Sequence, residues 1–248
     1  MPTRQVFAFF GAGTSALPLA HVLKAGHYAS TLARNSKKLR QQMLDRGVDR
    51  ATVDSHLHIV EGSIYGINDV KATLSSEFGQ AHTVISGIGG SAAFQLSTFS
   101  MKMEDPKAVT NAMKAILLAV KELDLQPKPK LIALSSMGVL RERDFPIAFY
   151  PVCRWILTEV FEDKRGMEAH MNDSSLNTGV ASSFIVRPCV LTNAEKGVAA
   201  VRAGTGKNRP VGYTIGRPDV ATWIYENLIK QEKFTMANGT VQDMSICY

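Results

Sequence analysis

Short apolar stretches of strand length recur along the chain. Most are followed by segments whose apolar residues return every three or four positions. The stretches are Gln5 to Phe10, Tyr28 to Ala33, Leu57 to Ser63, Ala81 to Ser86, Leu131 to Leu134 and Ser183 to Val186. After the first, Ala16, Leu19, Ala20 and Leu23 stand at i, i+3, i+4 and i+7, which keeps one helix face apolar. Further helices are expected over Lys37 to Leu44 with Ser36 as cap, from Asn68 to about Phe78, over Lys107 to Leu123, and from Arg217 to about Ile229. Phe234 to Ala237 reads as a closing strand. Ser91 to Glu104 is apolar without a clear period, and reads either as a substrate lid or as packed core. Strands alternating with helices predict an α/β protein with a mainly parallel sheet, right-handed crossovers and helices on both faces. No repeat or linker divides residues 1–248, so a single domain is expected.

The first strand ends abruptly in Gly11-Ala12-Gly13-Thr14-Ser15-Ala16. A strand that feeds a helix through small residues leaves the first N–H groups of that helix free, and these favour an anion. Gly11 allows a tight turn, and Gly13 lets the backbone approach a pyrophosphate with no Cβ in the way. Ala16 stands where strand and helix pack closely, and Pro18 falls where a missing N–H costs little. The pattern reads as a Rossmann-type dinucleotide site, with an ordinary tight βα turn as the alternative. The second strand ends at Arg34-Asn35-Ser36-Lys37-Lys38, with no Asp or Glu. A carboxylate there selects NAD through the ribose hydroxyls, whereas a guanidinium accommodates a 2′-phosphate. NADP(H) is therefore the expected cofactor; the alternative is a solvated basic helix start. Gly87-Ile88-Gly89-Gly90-Ser91 is a second glycine-rich strand end, either a backbone surface for the cofactor or a flexible loop.

Composition narrows the picture further. Of the 248 residues, 45% are apolar and 20% charged, which supports a sizeable core and argues against disorder. No apolar run reaches membrane-spanning length, and the run after Arg4 is too short for a secretory signal. Cys153, Cys189 and Cys247 lack metal or redox spacing, so no metal site is expected and a reducing, cytoplasmic setting fits. The net charge of +6 is spread without a basic-aromatic stripe. An anionic cofactor accounts for it more simply than nucleic acid does.

The order of these landmarks resembles the atypical short-chain dehydrogenases with an NAD(P)H-binding domain, often called NmrA-like. The carriers are Phe10 to Ala16, Arg34, Leu134-Ser135-Ser136-Met137-Gly138-Val139, Asp163-Lys164 with Glu168, Val186-Arg187-Pro188, and Gly216 to Ala221. The resemblance covers nearly the whole chain. It implies a doubly wound sheet with a cofactor at the carboxyl ends of the strands. It also implies a small substrate-binding lobe from the C-terminal loops, with residues 140–160 and 188–216 forming the pocket. The cofactor-binding set is Gly11, Gly13, Thr14, Ser15, Ala16, Arg34, Asn35, Ser36, Lys37, Gly62, Ser63, Gly87, Ile88, Gly89, Ser135, Lys164, Pro188, Cys189 and Val190. The chain also departs from the pattern. Short-chain dehydrogenases place Tyr and Lys four apart, but Tyr150 is followed by Arg154, and Lys164 is preceded by Val160. The adenine-side aspartate after the third strand is replaced by Ser63.

The catalytic candidates are Ser136, Tyr150, Arg154, Asp163 and Lys164, each with a plainer reading beside it. Ser136 could hydrogen-bond a substrate carbonyl or merely close a turn. Tyr150 sits among aromatic residues as an acid or as pocket wall. Asp163 could act as acid or base, or be an exposed carboxylate. Lys164 could hold the ribose hydroxyls or pair with Glu168 at i+4 on the surface. Phe94, Phe99, Met137, Phe149, Tyr150 and Trp155 are expected to form an apolar pocket wall. These readings favour an NADPH-dependent oxidoreductase reducing an apolar cyclic or aromatic ketone, imine or quinone, with natural-product biosynthesis as a setting. The alternatives are a non-redox isomerase or cyclase that retains NADP(H), and an NADP(H)-binding redox sensor. The expected partners are a small apolar substrate and at most a second copy of the chain, as a monomer or homodimer, with neither nucleic acid nor membrane.

Overall fold

A computed structural model describes residues 4–11, 16–89, 92–95, 99–140, 155–231 and 240–248. Its central sheet contains β1 (Val6–Phe10), β2 (Tyr28–Ala33), β3 (Leu57–Glu61), β6 (Thr83–Ser86), β9 (Lys130–Leu134), β10 (Ser182–Pro188), β12 (Arg202–Gly204) and β14 (Thr240–Cys247). Two small hairpins lie outside it: β4 (Ser75–Ser76) with β5 (Gly79–Gln80), and β7 (Ala92–Gln95) with β8 (Ser100–Met103). A separate parallel pair joins β11 (Val190–Thr192) to β13 (Thr214–Gly216). The helices are α1 (Ala16–Lys24), α2 (Ser36–Asp45), α3 (Arg50–His56), α4 (Ile67–Leu74), α5 (Ala108–Leu123), α6 (Thr158–Asn172) and α7 (Arg217–Ile224), the last continuing as a π-helix over Tyr225–Lys230.

The sheet order is β12-β14-β10-β9-β6-β1-β2-β3. Every pairing is parallel except that of β12 with β14. The chain therefore winds outward from β1 in one direction as far as β3, then returns and winds the other way from β6. Both faces are covered, which explains the unbroken apolar run of β1. Phe7 and Phe9 join a core with Leu19 and Leu23 of α1, Leu39 and Met43 of α2, and Val220 and Ile224 of α7. Ala8 and Phe10 join the opposite core with Val70 and Leu74 of α4, Met113 and Ile116 of α5, and Met167 and Met171 of α6.

Several local expectations need correction. Ser36 does not cap α2; Asn35 does, its Oδ1 accepting from Lys38 N at 2.8 Å, with Ser36 as the first helical residue. The helix expected to reach Phe78 ends at Leu74, because Ser75 and Ser76 pair with Gln80 and Gly79. The expected closing strand at Phe234 to Ala237 lies outside the described residues. The strand that pairs beside β10 is β14, in register from Ser182 with Thr240 to Pro188 with Ile246.

Candidate nucleotide-binding site

The carboxyl ends of β1, β2, β3, β6, β9 and β10 share one edge of the sheet, and the order reverses between β1 and β6. A ligand crevice forms at such a reversal. The chain leaves β1 through Gly11 at φ +99°, a backbone conformation that L side chains rarely adopt. A Cβ there would stand 2.8 Å from both Gly87 C and Ile88 N. Gly87 N in turn donates to Phe10 O at 2.9 Å. The two glycine-bearing strand ends thus lie against each other, too close for a side chain at Gly11. Gly13, Thr14 and Ser15 lie outside the described residues; α1 begins at Ala16.

At the end of β2, Arg34 is exposed and makes no hydrogen bond or ion pair among the described residues. Lys37 is also exposed, on the first turn of α2. Ser36 Oγ donates to Glu61 Oε2 at 2.7 Å. Glu61 is the last residue of β3 and lies in register with Ala33. A carboxylate therefore does reach this end of β2, supplied by the neighbouring strand. The segment Arg34 to Lys38 has none of its own, so reading that segment alone missed it. Gly62 N donates to Ala33 O at 3.1 Å, and Ser63 N to Asp69 Oδ2 at 2.9 Å. Asp69 thus stands beside the position that lacks the expected aspartate.

Beneath β6 and β9 lies a bridge the sequence did not disclose. Lys164 Nζ donates to Leu134 O at 2.7 Å and to Ile88 O at 3.5 Å, tying together the two strand ends. Burial pulls its pKa from the ordinary 10.5 down to about 8, while the negative charges of Asp163 and Glu168 oppose that fall. Gly89, the next strand-end residue, is exposed. Glu168 is not the surface partner of Lys164. It is buried, accepts from Ser135 Oγ, and takes Arg187 Nε and Nη2 at 2.8 and 2.7 Å. Arg187 continues to Asp243, which Arg209 also reaches at 2.6 Å. Ser135, Glu168, Arg187, Asp243 and Arg209 therefore form one chain of polar contacts joining β9, α6, β10 and β14.

Asp163 is buried and neither exposed nor free for proton transfer. Its Oδ2 accepts from Val109 N at 2.9 Å and its Oδ1 from Thr110 N at 2.8 Å, which caps α5 from another helix. Thr110 Oγ1 returns a bond to Asp163 O at 2.8 Å. Ser136, half-buried at the carboxyl end of β9, donates to Met137 O at 3.0 Å. Pro188 accepts from Met137 N at 2.9 Å, and Cys189 N donates to Ile246 O at 3.2 Å. The Cys189 thiol is buried and hydrogen-bonded to Cys247, which pushes its pKa up; Val190 stands exposed beside it. That same bond, aided by the positive Arg202, lowers Cys247 to about 7 against the cost of its own burial.

Met137 is fully buried in the core and cannot line a pocket as expected. Phe99 and Trp155 are exposed, at 64% and 68%. A groove of about 460 Å³ runs between the β7–β8 hairpin and the start of α6, lined by Met101, Lys102, Trp155, Ile156 and Glu159 among others. Glu159 fastens the hairpin to α6 by accepting from Lys102 Nζ and from Met103 N at 3.0 Å. Tyr150, Arg154 and Phe149 lie outside the described residues, as does the side chain of Phe94. Among the described residues no cluster suits a metal ion, and no helix is long and apolar enough to cross a membrane.

A parallel sheet that reverses its order at a glycine-bearing strand end, with an exposed guanidinium at the tip of β2, defines a Rossmann-type nucleotide-binding protein. Gly11, which has no side chain and meets the Gly87–Ile88 backbone closely, fits the strand end of a pyrophosphate-binding turn. The chain belongs to the NAD(P)H-binding family, whose defining pattern matches residues 11–231. Reductase pytE of Aspergillus terreus is 33% identical over 246 residues, covering 92% of this chain and 93% of that protein. Oxidase pynE of Aspergillus niger is 28% identical over 265 residues, covering 92% and 94%. Among solved structures, a wide-type short-chain dehydrogenase/reductase from Veillonella parvula in complex with NADP superposes with a TM-score of 0.70 at 13% identity. That likeness covers 99% of this chain and 95% of the other, and shows the shared fold.

Proposed function

We propose that this protein is an NADPH-dependent oxidoreductase that reduces an apolar cyclic or aromatic ketone, imine or quinone. Natural-product assembly in the cytoplasm is the setting we favour, with the protein a monomer or homodimer. The observation that carries the cofactor choice is the unpaired, exposed guanidinium of Arg34 at the end of β2, placed to take a 2′-phosphate through paired hydrogen bonds. Gly11, Gly87 and Ile88 would supply backbone surface to the dinucleotide, and Lys37 further positive charge. The names reductase and oxidase carried by the two Aspergillus relatives support redox chemistry. When bound, the reduced nicotinamide supplies the two-electron reducing equivalent.

The chain's own groups do the rest. Ser136, at the carboxyl end of β9, would hydrogen-bond the acceptor oxygen or nitrogen of the substrate. Tyr150 or a water would supply the proton. Lys164 would hold the strand ends in place and set a positive charge near the ribose. Asp163 has both oxygens committed to α5 and drops out of the acid–base set. Arg154 remains a candidate for charge stabilisation. Pairing of nicotinamide with an apolar acceptor would use the hairpin groove beside Trp155 as one wall. The test is calorimetric titration with NADPH and NADH, followed by NADPH consumption over a panel of quinones, cyclic imines and aromatic ketones. Tighter binding of NADPH with turnover on one acceptor class is expected. Binding without consumption on any acceptor would overturn the redox reading and favour an isomerase or cyclase that keeps the nucleotide.

A further inference from the structure

We propose that Glu61 is a specificity-determining residue of the nucleotide site, opposing Arg34 across the end of β2. The proposal rests on the reading of that end as the adenosine-ribose subsite. Glu61 closes β3 one strand away from Ala33, the residue before Arg34. Its Oε2 accepts from Ser36 Oγ at 2.7 Å, and Ser36 opens α2 directly after the capping Asn35. Arg34 is exposed and forms no ion pair with this carboxylate. An exposed cation with no partner among the described residues and a hydroxyl-anchored anion therefore share the few residues that would meet the ribose.

Their chemical preferences are opposite. A guanidinium favours a 2′-phosphate. A carboxylate is acceptor-only: it repels phosphate and accepts from the free ribose hydroxyls of NAD(H). Ser36 has one hydroxyl proton, and while that proton goes to Glu61 the oxygen offers a phosphate only lone pairs. The pair thus removes a donor from the subsite and adds a negative charge. The preference for NADPH is accordingly smaller than Arg34 alone would produce.

The experiment measures dissociation constants for NADPH and NADH on the intact chain and on Glu61→Gln. The glutamine keeps size and an acceptor for Ser36 but removes the charge. With exposed charges in a water-like medium, NADPH affinity should rise roughly 3- to 10-fold while NADH affinity holds or falls. The shift should shrink at about 0.5 M salt, where exposed charges are screened. Glu61→Asp, which keeps the charge, should leave the ratio of the two constants near that of the parent. The ratio is read within one preparation, so partial unfolding does not move it. If the parent binds either nucleotide and the ratio stays put in Glu61→Gln, Glu61 only supports the β3–α2 junction and the proposal is overturned. An equal change for both nucleotides has the same meaning. If the parent binds neither nucleotide, the proposal falls together with the reading of the site.

Discussion

Replacing Asp163 separates a structural carboxylate from a catalytic one. Asp163 accepts from two backbone N–H groups at the start of α5, at 2.9 and 2.8 Å, and is only 3% exposed. In Asp163→Ala the N–H of Val109, in a residue 2% exposed, has no other acceptor at hand. Leaving a buried donor unmet costs roughly 1–3 kcal/mol. The half-buried Thr110 N–H can turn to water, so its loss falls at the lower end of that range. Losing a negative charge at a helix N-terminus adds about 0.3–1 kcal/mol. The sum is about 2–5 kcal/mol, which in a chain of this length lowers Tm by roughly 4–20 °C. Asp163→Asn keeps one acceptor but turns an NH₂ group toward the second donor, and should cost about 1–3 kcal/mol. Urea unfolding followed by circular dichroism reads the midpoint, with the slope m unchanged. Nucleotide affinity should stay within about twofold of the parent, since neither oxygen is free to meet a ligand. An Asp163→Asn variant that unfolds at the parent's urea concentration, yet has lost turnover, would refute the capping argument and return Asp163 to the acid–base set.

Gly11→Ala combines φ +99° with a Cβ 2.8 Å from the Gly87–Ile88 backbone, so it should cost roughly 2–4 kcal/mol and weaken NADPH and NADH alike; undiminished titrations with both would contradict this. Arg34→Ala should lower NADPH affinity about 10- to 150-fold, from the roughly 1.5–3 kcal/mol of a charged hydrogen bond, and affect NADH far less. Equal losses would remove the NADP assignment. Lys164 gives a pH signature. Its folded pKa is near 8, whereas the unfolded amine holds its proton to about 10.4, so the unfolded state binds more protons between those values. Stability should rise with pH across that window, with the cost of the buried charge fully present below it. Lys164→Met should flatten that part of the unfolding profile, and an identical slope in both proteins would count against the buried amine.

The parts of the fold that were legible are those decided by local pattern. β1 announces itself because both faces are covered and all five residues are apolar, and β2 because its Ser30 and Thr31 are small and buried among apolar neighbours. α3 escaped because Val53 is its only buried apolar residue, although Asp49, which accepts from Thr52 N at 2.8 Å, did carry a capping signal. β14 escaped because Thr240 to Asp243 are not fully buried, with Val241 only partly covered, and the buried residues are confined to Met244 to Cys247. The aperiodic stretch after β6 contains the β7–β8 hairpin, whose arms of four residues each are too short to show a period. Within the site, Arg34 and the Gly11 turn were readable because strand end and motif coincide in sequence. Glu61, Glu168 and Asp163 were not. Their partners Ser36, Arg187 and Val109 lie 25, 19 and 54 residues away, and only sheet register and helix packing bring them together.

The β7–β8 hairpin has a consequence for how such a protein can be diversified. Its two arms pair with each other, and it joins neither edge of the eight-stranded sheet. Glu159 on α6 holds it through Lys102 and Met103. Closing a longer loop costs little extra entropy, about 0.6 kcal/mol for each doubling. The hairpin can therefore be exchanged for one of another length or lining as a cassette, provided the graft presents a cation and a backbone N–H to Glu159. If the groove beside Trp155 walls the acceptor site as proposed, such an exchange would change acceptor preference with the nucleotide-side residues Gly11, Arg34 and Gly87 left as they stand.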